Sequence, residues 1–363
     1  MPRIIALYLP QYHPIPENDE WWGKGFTEWV NVARAKPLFR GHRQPRIPEE
    51  LGFYDLRCAE VRERQARLAK EAGIEAFCYY DYWFGAGKRL LERPLQEVVS
   101  SKQPDFPFCI SWANGSWYNK KWDPKAPNKD KLLIEQQYLG QQDYTDHFLS
   151  LLECFKDPRY LRVGDKLFFM VCEGMELADA AAFIKCWRRL AHEHGLGDFY
   201  FTTITSERQH YQELLQKGFD AIIQNDLKAI YRRLPRPYRA LHFFMRKLRR
   251  QPLIYPYKKA IRYMVSEECR EEHFIPCIYP NWDHSPRSRR KAFILSGSTP
   301  ALFGKLARRA IDIVKNKAAD KQIIILKSWN EWGEGNYMEP DREWGRGYID
   351  ALRDATQHTT KNN

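Results

Sequence analysis

Two glutamates three residues apart, Glu331 and Glu334, lie in the segment that reads SWNEWGEGNYMEP from Ser328 to Pro340. Paired carboxylates suit acid–base work on a glycosidic bond, because one group must protonate the departing oxygen while the other stays ionised as a base or nucleophile. Each charge penalises the other, so the two carboxyl groups of such a pair can differ in pKa. A solvated acidic turn is the alternative interpretation of this spacing.

Eight short apolar runs predict the strands that would position this pair. They are Ile4–Leu9, Ala76–Trp83, Phe106–Trp112, Leu167–Cys172, Phe199–Ile204, Phe219–Gln224, Phe274–Tyr279 and Gln322–Lys327. Charged stretches with helical spacing lie between them, at Ala59–Gly73, Asp179–His194 and Leu302–Lys317. Continuous apolar strands that alternate with helices predict a parallel sheet covered on both faces, and eight such units predict a (β/α)₈ (TIM) barrel. An open doubly wound sheet is the alternative fold.

Barrel enzymes place their chemistry at the carboxyl ends of the strands, and here those ends carry aromatic, amide and acidic residues. Of the twelve tryptophans, all but Trp187 and Trp344 fall outside the predicted helices. Aromatic rings can stack on sugar faces while polar groups hold hydroxyls, so the pattern predicts a glycan cleft. Aromatic side chains that plug the barrel top are the alternative. The predicted binding residues are Tyr8, Gln11, Trp22, Trp29, Tyr82, Trp83, Trp112, Asn114, Trp282, Asp283, Trp329 and Asn330.

The long motif YLPQYHPIPENDEWWGKGFTEW, from Tyr8 to Trp29, strongly resembles the opening of the WbsX proteins. These are the glycoside hydrolase family 99-like proteins of bacterial polysaccharide gene clusters. The resemblance continues through four further segments, Tyr79–Phe84, Ser111–Trp117, Asn281–Pro286 and Trp329–Pro340. It implies a (β/α)₈ barrel related to endo-α-mannosidases, with no metal or organic cofactor.

In family 99 enzymes, an Asn-Glu-x-x-Glu segment carries both catalytic carboxylates, and it matches Asn330, Glu331 and Glu334. The resemblance implies that Glu331 is the base that draws the proton from the sugar 2-hydroxyl, whose oxygen then attacks the anomeric carbon. Glu334 would protonate the leaving oxygen and later deprotonate water or an acceptor, with retention through a 1,2-anhydro sugar. Ordinary double displacement stays open as an alternative. The family pattern has His where Asp81 stands and Glu where Gly115 stands.

The positive charge of the chain is concentrated in one segment. Lys and Arg number 58 against 46 Asp and Glu, a net charge of +12. Residues 227–266 hold twelve of those cations and no acid, interleaved with aromatic side chains. We interpret 227–266 as an insertion between strands six and seven. It could rest on an anionic membrane, bind an acidic polysaccharide, or be a solvated helical excursion. Nucleic acid is not an expected partner, because no recognised module accompanies the patch.

The composition bounds the function classes. With 363 residues and 44% hydrophobic residues, the chain can bury a large core, and we expect one catalytic domain over 1–363. We expect a cytoplasmic protein, since no apolar run reaches ~18 residues. Peripheral contact with the inner membrane face is compatible with this location. The eight cysteines lack Cys-x-x-Cys pairs, and the ten histidines lack metal-ligand spacing.

Three functions remain open from the sequence. The first is a retaining glycosidase or transglycosidase that acts on an oligosaccharide or lipid-linked glycan in surface-polysaccharide (O-antigen or capsule) metabolism. The second is a glycosyltransferase of polysaccharide biosynthesis. The third is a catalytically silent glycan-binding assembly protein, which the residues at Asp81 and Gly115 make plausible.

Overall fold

The computed structural model describes residues 2–119, 131–225 and 252–358, together with 227, 230, 236, 237, 239, 240, 243 and 244. Eight strands occur in the predicted places, each end within two residues of the prediction. In chain order they are β1 (Arg3–Tyr8), β2 (Ala76–Trp83), β3 (Phe108–Trp112), β4 (Lys166–Val171), β5 (Phe199–Thr205), β6 (Ala221–Gln224), β7 (Phe274–Ile278) and β8 (Ile323–Leu326).

The eight strands close into a parallel barrel. Each strand pairs with the next along the chain, and β8 returns to pair with β1, where Ile5 lies opposite Ile325. Closure satisfies the backbone hydrogen bonds on both sides of every strand. Both faces of β8 are apolar because one faces the barrel interior and the other faces the surrounding helices. The predicted (β/α)₈ barrel is confirmed, and the open-sheet alternative is wrong.

Helices surround the barrel and also fill the loops at its carboxyl end. The three predicted helices occur as Ala59–Glu71, Ala180–Glu193 and Pro300–Val314. Asp179 caps the second of these through its side chain, which accepts from the amide of Ala182 at 3.3 Å. Further α-helices with described bounds are Pro16–Trp22, Glu28–Arg34, Arg93–Ser101, Gln141–Ser150, Leu152–Lys156, Tyr211–Gln216, Tyr257–Ala260, Ser285–Ser288 and Gly347–His358.

Short strands lie outside the eight barrel strands, most of them beyond the carboxyl ends of the barrel. Leu253–Pro256, Phe293–Ser296 and Trp282–Asp283 form a three-stranded sheet after β6 and β7. Asn330–Glu331 pairs with Asn336–Tyr337 directly after β8. The others are Arg89–Leu90, Trp117–Asn119, Lys131–Ile134 and Arg162–Val163. The segments that follow β7 and β8 are therefore tied down by backbone hydrogen bonds.

The tryptophan prediction needs a correction. Trp21 and Trp22 end the helix Pro16–Trp22, Trp29 lies in Glu28–Arg34, and Trp344 precedes the last helix rather than lying within it. The sequence periodicity missed these two helices because each has only seven residues, about two turns. Within the described residues, no helix is both long and apolar enough to cross a membrane. All eight cysteines are free.

The basic segment 227–266 falls between β6 and β7, as predicted. Most of its first part, residues 226–251, lies outside the described residues. Its last part contains the strand Leu253–Pro256 and the helix Tyr257–Ala260, whose Tyr257 hydroxyl donates to the carbonyl of Tyr279 at 2.5 Å. That bond fastens the end of the insertion to the carboxyl end of β7.

Candidate functional site

A tight hairpin after β8 carries Glu331 and Glu334. The 3₁₀ turn Trp332–Glu334 joins its two short strands. The Ser328 hydroxyl accepts from the Glu331 amide at 2.9 Å and donates to the Asn336 carbonyl at 2.7 Å, which holds the hairpin closed. Gly335 has a φ of 53°, and a Cβ there would lie 2.7 Å from the Cβ of Asp283. The turn therefore requires glycine at this position.

The hairpin is anchored to the loop after β1. The Asn330 side chain accepts from the Leu9 amide at 2.8 Å and donates to the Leu9 carbonyl at 3.0 Å. The Tyr12 hydroxyl donates to the Asn330 carbonyl and accepts from the Trp332 amide at 3.2 Å. Buried hydrogen bonds on both sides of Glu331 fix the direction in which its side chain leaves the backbone.

The two glutamates lie side by side because they share two cations. Arg287 Nη1 lies 2.7 Å from Glu334 Oε1 and 3.8 Å from Glu331 Oε1. Lys327 Nζ lies 3.4 Å from Glu331 Oε2 and 3.9 Å from Glu334 Oε2. The side chains of Glu331 and Glu334 are only 6% and 12% exposed, so these charges interact with little screening by water.

A third glutamate, Glu28, holds Arg287 in place. Arg287 Nε donates to Glu28 Oε1 at 2.9 Å, while its Nη1 reaches Glu334. The Glu28 carboxylate lies against the backbone of Gly333, where a Cβ would fall 1.6 Å from Glu28 Oε1. Only glycine at 333 leaves room for this contact. The sequence spacing Glu331-Trp-Gly-Glu334 is thus matched to a partner from the loop after β1.

Several polar atoms around Lys327 lack hydrogen-bond partners among the described residues. They are Glu331 Oε2, Glu334 Oε2 and Trp282 Nε1, all three buried. The Lys327 ammonium lies 5.9 Å from the centroid of the Trp282 ring, so these atoms surround one cation. Buried polar groups are normally hydrogen-bonded. Two acceptors and one donor without hydrogen bonds therefore lie around the Lys327 ammonium, and the hydroxyl groups of a ligand can form hydrogen bonds with them.

The electrostatic environment gives the two carboxyl groups different pKa values. Burial and the charge of Glu334 raise the pKa of Glu331, against the lowering effect of Lys327 and Arg287. Burial also opposes ionisation of Glu334, but Lys327, Arg287 and His284 outweigh it and hold its pKa below the usual range. In the free protein Glu334 is therefore the member of the pair that ionises more readily. This order is the reverse of that expected if Glu334 stood ready as the acid before a ligand binds.

Five predicted binding residues lie too deep to touch a ligand. Each exposes at most 1% of its surface, and they are Tyr8, Trp112, Asn114, Trp329 and Asn330. Their polar atoms serve the protein interior: the Tyr8 hydroxyl donates to Gln65 at 2.7 Å, and the Trp112 indole donates to the carbonyl of Trp83 at 2.9 Å. The prediction that these five contact substrate is corrected, because burial leaves them no accessible face in this structure.

Four other predicted residues are largely buried among protein partners. Trp29 donates to the Tyr54 carbonyl at 2.7 Å, and Trp83 stacks on His147 with 4.9 Å between ring centroids. The other two are Asp283, which accepts from both His42 and Gln44 at 2.7 Å, and Tyr82, which packs edge-on against Trp117 at 5.0 Å.

Gln11, Trp22 and Trp282 are the predicted binding residues that keep substantial exposed surface. Of these, Trp282 lies beside the carboxylate pair, through its contact with Lys327. A role for these three in binding stays a prediction.

Sequence reasoning missed the cations and Glu28. Arg287 lies one residue beyond the matched segment Asn281–Pro286, Lys327 ends the eighth predicted strand, and Glu28 is part of the long N-terminal motif. No local pattern marks them, because 259 positions separate Glu28 from Arg287. Among the described residues, no group of three His, Cys, Asp or Glu side chains could hold a metal ion.

Glu339, from the same motif as the pair, lies under the hairpin. Its carboxylate accepts from Trp332 at 2.6 Å, Gln65 at 2.6 Å and Tyr54 at 2.9 Å. Burial raises the pKa of Glu339 to about 7, although these hydrogen bonds oppose the shift. These hydrogen bonds hold the Trp332 indole in place.

The two departures from the family pattern differ in their surroundings. Asp81 is buried and accepts from Arg89 Nε at 2.6 Å and His147 Nε2 at 2.9 Å, so it belongs to an internal ion cluster. A Cβ on Gly115 would meet no atom within 4 Å, so a larger side chain fits there.

Comparisons with known proteins identify the family of the chain. The model of a family described as glycosyltransferase WbsX matches residues 4–352. An uncharacterized protein WxcX of Xanthomonas campestris is 36% identical over 362 residues, which cover 97% of this chain and 49% of the relative. The same match occurs in a second strain of that organism. The chain thus spans about half the length of these relatives.

Solved structures share the fold, and two examples illustrate it. A glycoside hydrolase-like protein superposes with a TM-score of 0.60 at 14% identity, covering 98% of this chain and 93% of its own. The family 99 endo-α-mannosidase of Bacteroides thetaiotaomicron superposes with a TM-score of 0.55 at 14% identity, covering 99% and 98%. At this identity, the likeness establishes the barrel and no more. The family match over nearly the whole sequence does establish membership: this chain belongs to the WbsX glycosyltransferase family.

Proposed function

We propose that this protein makes or breaks glycosidic bonds of a mannose-configured glycan in bacterial surface-polysaccharide (O-antigen or capsule) biosynthesis, with Glu331 and Glu334 as its catalytic residues. The observation that carries the proposal is the nearly buried pair that shares Arg287 and Lys327, with one oxygen on each carboxylate that accepts no hydrogen bond from the described residues. One of the solved structures with the same barrel is an endo-α-mannosidase, which suggests the sugar configuration.

In the retaining mechanism, Glu331 takes the proton of the sugar 2-hydroxyl. Its raised pKa makes it a stronger base than an ordinary glutamate. The O2 oxygen attacks the anomeric carbon as the bond to the leaving oxygen breaks, and Glu334 gives its proton to that oxygen. Water or an acceptor hydroxyl then returns a proton to Glu334 and opens the 1,2-anhydro ring, while O2 regains its proton from Glu331. Glu334 must first pick up a proton, so substrate binding has to displace Arg287 from it.

Transfer from an activated sugar is the second candidate function, and the ionised state of Glu334 favours it. A phosphate leaving group departs as an anion and needs no proton. Glu334 can then act as the base that accepts the proton of the acceptor hydroxyl, with Arg287 still in contact. The family description as a glycosyltransferase supports this version.

The experiment is to incubate the full chain with α-mannoside oligosaccharides, with and without a nucleotide sugar, and to identify the products by mass spectrometry. We expect Glu331→Gln and Glu334→Gln to lower turnover by about 100-fold or more. Glu176→Gln, a change at an exposed side chain, is the matched control and should retain full activity. Two Gln variants with normal turnover would refute the catalytic assignment. Glycan binding without any product would instead indicate a catalytically silent binding protein.

We further propose that the glycan is lipid-linked and that residues 227–266 contact an anionic membrane, at the cytoplasmic face. The segment has twelve cations and no acid, and it displays Phe243 and Phe244 with 66% and 61% of their surface exposed. Basic residues close to aromatic side chains are typical of surfaces that bind the membrane interface. Replacing the four cations Arg246, Lys247, Arg249 and Arg250 by Gln should release the protein from phosphatidylglycerol vesicles. Unchanged co-sedimentation would contradict the membrane contact.

A further inference from the structure

A cavity of about 340 Å³ lies beside the strand Leu253–Pro256 and the helix Tyr257–Ala260. Its lining residues are Tyr255, Lys258, Lys259, Arg262 and Tyr263. The volume is in the range of small-molecule sites, about 300–1,000 Å³. Among the described residues, the lining combines three cations with two tyrosines and no carboxylate, so the cavity is suited to an anion.

The three cations of this cavity lie close to one another and, among the described residues, no acidic side chain neutralises them. Lys258, Lys259 and Arg262 are exposed, and none forms an ion pair with another described residue. In contrast, the nearby Arg270 pairs with Glu267 at 2.8 Å and with Asp312 at 3.6 Å. Three like charges around one cavity repel one another unless an anion binds between them. The unmet charge therefore points to an anionic ligand.

The cavity and the glutamate pair are connected by one small sheet. In the sheet formed by Leu253–Pro256, Phe293–Ser296 and Trp282–Asp283, Tyr255 lies opposite Leu295, and Leu295 lies opposite Trp282. Directly opposed residues share a sheet face, and two strand spacings place Tyr255 roughly 10 Å from Trp282. Trp282 is the residue whose ring lies by Lys327, next to Glu331 and Glu334. This separation is close to the length of one sugar ring with a diphosphate on its anomeric carbon.

We propose that the cavity lined by Tyr255, Lys258, Lys259, Arg262 and Tyr263 binds the diphosphate of an activated sugar substrate whose glycosyl part lies at Glu331 and Glu334. The inference rests on the proposed function and narrows it to a diphosphate-linked donor. The guanidinium of Arg262 can bind phosphate oxygens in a bidentate manner, and the two ammonium groups add point charges.

The transfer step needs no proton donor for the leaving group. The acceptor hydroxyl gives its proton to Glu334, and its oxygen bonds to the anomeric carbon. The bond from that carbon to the phosphate oxygen breaks, and its electron pair stays on the diphosphate. The cations of the cavity stabilise the charge that develops there.

Titration of the full chain with inorganic pyrophosphate, followed by calorimetry, tests the cavity without any need for turnover. We expect the triple variant K258Q/K259Q/R262Q to bind pyrophosphate about 10- to 100-fold more weakly. The matched control is R67Q/K70Q/K185Q, which removes the same charge from exposed positions on the outer helices and should bind normally. Equal affinities of the two triple variants would overturn the proposal.

Three further arms identify the source of the phosphate and separate this inference from the proposed function. The first arm compares a nucleoside diphosphate with pyrophosphate. Tighter binding of the nucleoside diphosphate, lost in the triple variant, supports a nucleotide-linked donor. Equal binding of the two ligands supports a lipid-linked donor. In the second arm, one outcome is that the wild type binds phosphatidylglycerol vesicles but not pyrophosphate, while K258Q/K259Q/R262Q binds neither. That result would overturn the diphosphate assignment and show that the cavity binds lipid headgroups. Glu331→Gln should bind pyrophosphate normally; weakened binding there would contradict a separate anion site.

Discussion

Arg287 and Glu334 form a 2.7 Å contact inside the candidate active site, between Nη1 and Oε1. The same guanidinium donates to Glu28 at 2.9 Å, so one side chain links the loop after β1 to the hairpin after β8. Together with Lys327, which has the larger effect, this contact holds the pKa of Glu334 below its usual range despite burial. It also makes Arg287 a positioning residue whose removal should change how activity depends on pH.

Arg287→Met should move the whole pH profile of kcat/KM to higher pH. Loss of a nearby cation raises the pKa of both carboxyl groups, since Arg287 lowers the pKa of Glu331 as well as that of Glu334. Both limbs of the profile should therefore shift upward, whichever glutamate is the acid. The control is Arg290→Met at an exposed position three residues away, which should leave the profile in place. A drop in kcat with an unmoved profile would show that Arg287 has only a structural role.

Gly333→Ala should abolish most activity while the protein stays folded. The added methyl group would fall 1.6 Å from Glu28 Oε1 and 2.9 Å from Arg287 Nε, so the Glu28–Arg287 contact must break. We expect turnover to fall by about tenfold or more, the usual scale of a lost orienting contact. Gly115→Ala adds the same methyl group where no atom lies within 4 Å, and it should be neutral. Equal activity of the two variants would contradict the proposed role of Glu28.

Asp81→Asn should destabilise the fold by about 3–5 kcal/mol, because it leaves the buried Arg89 without its counter-ion. Burial opposes ionisation of Asp81, but Arg89 and His147 outweigh it and lower its pKa to about 2. The folded-state pKa lies below the unfolded one, so the ion pair stabilises the protein at neutral pH and less so as pH falls toward 2. Guanidinium denaturation at several pH values measures the difference.

The matched control for Asp81 is Asp55→Asn, which breaks the exposed contact with Arg57. That pair has side chains 32% and 41% exposed, so we expect a loss under about 1 kcal/mol. Similar losses for the two variants would indicate that the Asp81 cluster does not behave as a buried ion pair.

Glu339→Gln should flatten the decline of stability between about pH 4.5 and 7. Burial raises the pKa of Glu339 to about 7 from a usual value of 4.5, so in this window the folded protein keeps a proton that the unfolded chain has lost. Stability of the wild type should then fall as pH rises, by about 3 kcal/mol across the window. The slope, rather than the absolute stability, is the measurement. Glu176→Gln should keep the wild-type slope; an unchanged slope in Glu339→Gln would refute the shift.

The barrel could be predicted because its signal is local. β1 and β8 are unbroken apolar runs, which the requirement to bury both sheet faces produces directly. The glutamate pair could be predicted for a similar reason, since Glu331 and Glu334 are close in sequence and follow the last strand. Short helices such as Glu28–Arg34 could not, because two turns carry too little periodicity.

The rest of the site depends on contacts between distant parts of the chain. Arg287 was not singled out, because nothing local shows that it meets Glu28 from the loop after β1. Trp329 and Asn330 were placed in the cleft because they adjoin Glu331, yet both are fully buried. Adjacent residues at a strand end alternate between inside and outside, and only the hairpin geometry determines which of them faces the ligand.

Barrel closure and the glutamate hairpin both depend on β8 and the residues after it, so they form together and late in synthesis. β8 begins at Ile323 and is held beside β1, and Asn330 bonds to Leu9 across 321 positions. A ribosome-bound chain that has not reached this point has an unpaired edge on β1 and no glutamate hairpin. Any truncation that removes β8 and the residues after it therefore removes both Glu331 and Glu334 and leaves the barrel open.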